Sequence, residues 1–118
     1  MNNTNKSLEV VQAFFNAINM ADMKKAASYM ADNHQYIGPM FSTTNPKDYF
    51  EALSKFEMEF AVETQDLIGY ESSVTHVSTL KVLSPVQASI PCCEVFDLKN
   101  GKIARQRFFF DTALFPKP

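Results

Sequence analysis

The sequence predicts an α+β fold in which N-terminal helices pack on a strongly curved, mostly antiparallel sheet. Three observations carry this. Apolar residues recur at helical spacing through roughly the first half of the chain, and from about Ala61 onward they alternate instead. The alternating stretches are also separated by Ser, Pro, Asn and Gly turn chemistry. Helices first and then a run of strands is an α+β order, not the alternation of a parallel α/β sheet. At 118 residues the chain is expected to be a single domain over 1–118, with 1–6 a polar, flexible lead.

The first helix is predicted over Ser7 to Met20. Val10, Val11, Phe14, Phe15 and Ile18 fall on one side and Glu9, Gln12, Asn16 and Asn19 on the other, with Ser7 as N-cap. Asp22 caps a second helix with the stripe Met23, Ala26, Ala27 and Met30, and the short join implies a helical hairpin. His34 to Ile37 reads as a short strand ended by Gly38-Pro39, and Ser42 to Asn45 as loop. Asn45-Pro46 opens a third helix with the stripe Tyr49, Phe50, Leu53 and Phe56, leaving Glu51, Glu57 and Glu59 toward solvent. Four strands follow: Val62 to Glu71, Val74 to Leu83, Val86 to Leu98 and Lys102 to Leu114. They join at Ser72-Ser73, Ser84-Pro85 and Asn100-Gly101. Pro91 has no amide N–H, which predicts a bulge or an unpaired position. Three helices this short close one end of a twisted sheet and leave room for a cavity at the other.

Composition narrows the function. Eleven Phe, four Tyr and no Trp supply an aromatic interior, serving either as solid core or as cavity lining. A net charge of −2 without a basic run lacks the cationic footprint of a nucleic-acid binder. No apolar run approaches the roughly 20 residues of a membrane helix, and Met1 to Lys6 contains no apolar signal core. Cys92 and Cys93 are neighbours that point to opposite faces of a strand, so a bridge between them is strained. Inert, buried thiols in a reducing, cytoplasmic setting are expected. His34 and His76 stand far apart without metal-ligand spacing; no metal and no cofactor is expected, and His34, beside Asp32 and Asn33, is expected to cap a loop.

Three stretches resemble the nuclear transport factor 2-like superfamily and, within it, the SnoaL-like proteins. They are Val10 to Asn19 followed by Ala21-Asp22, Tyr29 to Asp32 leading into the strand and Gly38-Pro39, and Glu94 to Ile103 running on to Arg107-Phe108-Phe109-Phe110-Asp111. In order and spacing they cover nearly the whole chain. The resemblance implies a cone-shaped, cystatin-like α+β barrel whose conical pocket takes a small hydrophobic molecule, and a homodimer through the sheet. The superfamily includes polyketide cyclases, ketosteroid isomerases and limonene epoxide hydrolases, so fold alone does not settle activity.

The Asn100-Gly101 turn decides which residues share a face. A two-residue turn puts Glu94 opposite Arg107 as a surface pair. A three-residue loop with Gly101 left-handed and a bulge puts Glu94 opposite Gln106, Cys92 opposite Phe108 and Ile90 opposite Phe110. The second register gathers an apolar face with one acid and sends Arg105 and Arg107 together to the other side. It also agrees with the family, where positions matching Gln106, Phe108 and Phe110 face the cavity, and it is the register adopted.

The pocket is then expected to be lined by Phe14, Ile18, Met30, Tyr36, Met40, Phe41, Phe50, Leu53, Phe56, Cys92, Glu94, Gln106, Phe108 and Phe110, with Tyr36, Glu94 and Gln106 as its polar members. The catalytic candidates are Glu94 and Tyr36. Glu94 falls where cyclases and isomerases often carry an Asp; in an apolar cavity its pKa rises, fitting it to act as general acid or to hold a carbonyl. Tyr36 matches a water-holding Tyr of the epoxide hydrolases. The isomerase base, by contrast, matches Gly38, the oxyanion-hole Tyr matches Phe14, and the last-strand acid matches Phe108. No counterpart of the epoxide hydrolase Arg and Asp stands near Ser78 or Leu80. Phe109 is expected on the outer, dimer-forming face, and Asp111 in a structural role at the strand end. Three functions stand: acid/base chemistry on a small carbonyl compound, non-catalytic binding of an apolar ligand, or assembly around a side-chain-filled cavity.

Overall fold

The computed structural model describes residues 3–117. Helix α1 (Thr4–Asn19) buries Val11, Phe14, Phe15 and Ala17 along the expected stripe. It begins inside the segment expected to be a flexible lead, of which Met1 and Asn2 lie outside the described residues. Two side chains explain the early start. Thr4 Oγ1 accepts from the Glu71 amide at 2.9 Å and the buried Ser7 Oγ donates to the Glu71 carbonyl at 2.8 Å, fastening the first turn to a β-turn. Ser7 is therefore a tertiary tie, not the N-cap; Asn3 takes that position without a side-chain cap bond.

Asp22 caps α2 (Met23–Ala27) as expected, accepting from the Lys25 amide at 3.1 Å. The helix has a single turn, and Met30 already belongs to β1 (Met30–Ile37), which starts earlier than the sequence pattern predicts. Two residues of the expected loop form β2 (Ser42–Thr43), paired back on Tyr36 and Ile37. Asn45 caps α3 (Pro46–Ser54) by accepting from the Asp48 amide at 2.8 Å.

Strands β3 (Glu59–Tyr70), β4 (Ser73–Ser84), β5 (Ala88–Lys99) and β6 (Lys102–Phe110) complete a six-stranded sheet in the order β2-β1-β6-β5-β4-β3. Only the β1–β6 pair is parallel, so the α+β expectation holds. Pro91 faces Thr79 in an unbroken β4–β5 ladder, without the bulge considered for it; β6 ends opposite Cys92, so Pro91 has no neighbour there. The last strand stops at Phe110, short of the expected Leu114. Asp111 accepts from the Ala113 amide at 2.9 Å and starts a 3-10 turn (Thr112–Leu114) that returns Phe115 to the interior.

The β5–β6 hairpin differs from the adopted register. Asn100 (φ 53°) and Gly101 (φ 76°) are both left-handed and form a two-residue turn that pairs Lys99 with Lys102 and Leu98 with Ile103. Ala104 is then left over as a bulge, and Asp97 faces Arg105. Glu94 consequently lies opposite Phe108, not Gln106, and Cys92 opposite Phe110, not Phe108; Ile90 lies past the end of β6. The choice of face survives, because the actual pairing differs from the expected one by two residues, one full pleat. Arg105 and Arg107 point outward to Asp97, at 2.9 and 3.8 Å.

The concave face of the sheet carries two packed clusters. One, at the end closed by α1, contains Phe14, Phe96, Val74 and Ile103; the other contains Val82, Ile90, Cys92 and Phe115. Phe108 packs against both. Among the described residues no helix is long and apolar enough to cross a membrane.

Candidate functional site

A cavity of about 100 Å³ lies between helices and sheet. Nine of the expected lining residues border it: Ile18, Tyr36, Met40, Phe41, Leu53, Phe56, Glu94, Phe108 and Phe110. Five others do not. Phe14 and Met30 are packed into the closed end, and Phe50 stands against that same cluster from the side of α3. Cys92 belongs to the opposite cluster. Gln106 is fully enclosed and lies behind Glu94, so it supports the lining without being part of it.

Lining residues that the sequence reading passed over are Phe15, Tyr49, Phe60, Val62, Leu80 and Phe115. Tyr49 was legible in part: it lies one helical turn before Leu53 on α3 and shares its face. Phe15 stands beside Phe14 on the α1 stripe, but the rotation of the helix gives Phe14 to the core and Phe15 to the cavity. Phe115 arrives only because Asp111 breaks the last strand. Its ring packs 5.4 Å from Phe56 and 6.0 Å from Phe110.

Glu94 is the one acidic group in the lining, which includes no Lys or Arg. It is 5% exposed, and burial pushes its carboxyl from 4.5 up to about 7 against the opposing hydrogen bond from Gln106. Gln106 Nε2 donates to Glu94 Oε2 at 2.6 Å and to the Tyr49 hydroxyl oxygen at 3.4 Å. Gln106 Oε1 accepts from His34 Nε2 at 3.0 Å. His34 is thus a fully buried strand residue bonded to Gln106, and not the loop cap expected from its neighbours Asp32 and Asn33. The strand begins at Met30, so Asp32 and Asn33 are exposed strand positions while alternation turns His34 inward.

Burial, with added repulsion from neighbours including Glu94, raises the Tyr36 and Tyr49 hydroxyls, keeping both as proton donors at neutral pH. Tyr36 rests 4.7 Å from the Phe41 ring and 4.9 Å from Tyr49. It leans over Gly38, where an added Cβ would meet the Tyr36 hydroxyl and lie 2.7 Å from Cζ. Burial also lifts the Cys92 thiol to about 11, which suits packing and not nucleophilic attack. His76 is directly opposite Glu94 on β4. Its ring stacks on Phe15 at 4.0 Å, its Nε2 meets Thr64 Oγ1 at 2.8 Å, and burial lowers its pKa to about 4. Among the described residues no three His, Cys, Asp or Glu side chains gather as a metal site would require.

Comparison with known proteins agrees with this architecture. The structure is similar to a putative ketosteroid isomerase from Kribbella flavida, at 17% identity with a TM-score of 0.86, covering 100% of this chain and 87% of that one. It is similar to an epoxide hydrolase of the LEH-like kind from M. tuberculosis (21%, TM-score 0.83, 94% and 86% covered). An NTF2-like protein of unknown function from Cytophaga hutchinsonii matches at 19% identity, with a TM-score of 0.80 and 91% of each chain covered. These likenesses show the fold alone. No curated protein matches the chain significantly. The model of the SnoaL-like domain matches residues 11–106, from the first helix to the glutamine behind Glu94, and the chain belongs to that family.

Proposed function

We propose that the protein binds a small hydrophobic carbonyl compound in this cavity, with Glu94 as its hydrogen-bonding acid and the general acid/base of any turnover. One observation carries the reading: a single carboxyl group, raised to about 7 by burial and held from behind by Gln106, opens onto aromatic and aliphatic walls. A carboxyl near 7 is populated both as donor and as base at neutral pH, which isomerase-, cyclase- or hydrolase-like chemistry requires without a cofactor. Tyr36 and Tyr49 supply further hydroxyls at the same cavity. The fold neighbours described as a putative isomerase and an epoxide hydrolase support chemistry in this range.

Size limits the ligand. An apolar cavity of about 150 Å³ admits benzene. The cavity of about 100 Å³ therefore suits a smaller enclosed body, with any remainder of the ligand extending past Met40, a lining residue 45% exposed that marks the mouth. A second reading rests on the same number. Phe108 and Phe110, with ring centroids 4.9 Å apart, already occupy much of the space, as they would in an assembly domain with a filled cavity.

A homodimer through the sheet accompanies the proposal. On the outer face Phe109, Cys93 and Val77 form an apolar row across three strands, and Phe109 is 54% exposed. A second copy of the chain is the expected cover, and sedimentation of Phe109→Glu as a monomer beside a dimeric wild type would support it. The adjacent free cysteines, on opposite faces, fit a reducing, cytoplasmic setting.

The test of the pocket is a thermal-shift screen against small hydrophobic carbonyl compounds, repeated with Glu94→Gln. A ligand at 100 times its Kd stabilises by about 2.7 kcal/mol. Stabilisation that weakens in the variant supports a working Glu94 and calls for turnover assays. Stabilisation indifferent to the variant leaves a binder in which Glu94 has no part. No shift across the panel favours the filled-cavity reading.

A further inference from the structure

The cavity walls do not include His34, yet it is fully enclosed, and its one side-chain hydrogen bond among the described residues runs toward Glu94 through a single intermediary. That intermediary, Gln106, has two ends of opposite character. A carboxylate at 2.6 Å needs the NH2 end; the carbonyl end at that distance would repel it. The two ends have nearly the same shape, so packing alone does not choose between them. What distinguishes them is the third partner: His34 Nε2 lies 3.0 Å from Gln106 Oε1 and donates to it.

We propose that His34 is a positioning residue for Glu94: its Nε2–H engages the carbonyl end of Gln106 and thereby holds the NH2 end against the carboxyl group. The proposal rests on the reading of Glu94 as the working group of the cavity. It assigns the tautomer of His34, since a neutral ring that donates from Nε2 has no proton on Nδ1. The surroundings agree. Nδ1 is buried with no hydrogen-bond partner among the described residues, so a proton added there would make an enclosed, unpaired cation, and burial holds the pKa of His34 below its usual value despite the bond to Gln106. Both features favour the neutral Nε2–H form of the ring.

No other charge does this work. The titratable groups around Glu94 are Tyr36 from β1, Tyr49 from α3, Cys92 on its own strand and His76 from β4. Burial keeps each of them neutral near pH 7. Tyr49 also stands edge-on to the His34 ring, at 5.5 Å. Asp97, Arg105 and Arg107 sit together on the outer face of the sheet. With no Lys or Arg in the cavity lining, the Gln106 N–H is the donor that stabilises the carboxylate, and its orientation offsets part of the upward shift that burial imposes on Glu94.

The experiment is a carboxyl-carbon NMR titration of the ligand-free protein labelled at glutamate, with the Glu94 signal assigned by its loss in Glu94→Gln. It compares wild type with His34→Leu, which removes the donor, and with His34→Gln, which offers an amide N–H in its place. The expected result is a Glu94 midpoint raised by about one pH unit or more in His34→Leu, the loss of a hydrogen bond to a charged group, and restored in His34→Gln. An unchanged midpoint in His34→Leu, or equal shifts in both variants, overturns the proposal. Should His34→Leu fail to fold, the ring nitrogen shifts of wild-type His34 decide: protonation at Nε2 supports the arrangement and protonation at Nδ1 overturns it. A wild-type midpoint in the ordinary carboxylate range would instead remove the reading of Glu94 itself. A ligand screen without hits would leave this titration untouched, so the two failures are distinguishable.

Discussion

Replacing Glu94 by Gln removes the one ionisable acid from the cavity and keeps its shape, which makes the cost of burying the charge measurable as stability. With its carboxyl raised from 4.5 to about 7, forming the carboxylate in the folded state costs on the order of 3 kcal/mol. Between those values the folded protein holds a proton that the unfolded chain has released. The stabilisation from this group is complete below about 4.5 and is lost as the pH climbs through about 7. His76 acts in the opposite sense. Lowered from 6.5 to about 4, it contributes stability above about 6.5 that disappears as the pH falls through about 4. His34, also lowered, shares that sign. The wild-type profile therefore mixes opposing slopes between about 4.5 and 6.5, and only its difference from Glu94→Gln reads the glutamate. Denaturant titrations at about pH 5 and about pH 8 should show the variant gaining on wild type by on the order of 3 kcal/mol across that interval. In a domain of this size the gain corresponds to roughly 10 °C in Tm. A difference that stays constant from pH 5 to 8 would refute the argument, because a carboxyl titrating normally is already ionised over the whole range.

Three further outcomes test the framework around the site. Phe14→Ala, at a residue 0% exposed in the closed end, should cost about 3–5 kcal/mol in urea unfolding while leaving the cavity lining in place. Gly38→Ala should displace the Tyr36 ring, since the new Cβ meets its hydroxyl; the shift is visible in the Tyr36 ring resonances, with a stability loss of about 1–3 kcal/mol. Asn45→Ala removes the acceptor for the Asp48 amide and should cost about 1 kcal/mol by the same unfolding assay.

The fold was legible because local signals agreed with tertiary structure nearly everywhere. Asp22 and Asn45 cap the helices they were expected to cap, and the alternation along β4 and β5 matches their burial. The hairpin register was not. An Asn-Gly turn specifies two left-handed residues, but nothing in the sequence marks Ala104 as a bulge; Asp97 attracting Arg105 and Arg107 on the outer face is a tertiary contact. The polar face of the site survived this error because a displacement of two residues preserves the alternation. Cavity against core was harder still. Phe14 and Phe15 carry the same chemistry on one stripe, and only the rotation of α1 over the sheet separates an enclosed residue from a lining one. The His34 to Gln106 contact spans 72 residues and joins parallel neighbouring strands, so no local pattern announces it.

What the cavity does with its acid can be read from the direction of a pH dependence. A ligand carbonyl accepts hydrogen bonds, so it pairs with Glu94 only in the protonated form. Its affinity should hold steady below about 7 and fall tenfold for each pH unit above, once the carboxylate dominates. A step in which Glu94 removes a proton has the reverse requirement, and its rate should rise with pH through about 7 and then level off. Calorimetric titration of one ligand across about pH 5.5 to 9 separates these roles without knowledge of the reaction. An affinity that falls, vanishing as a pH effect in Glu94→Gln, identifies the acid as a donor to the ligand. An affinity independent of pH, for a carbonyl ligand that competes for the cavity, would place the ligand against Tyr36 and Tyr49 and remove Glu94 from recognition.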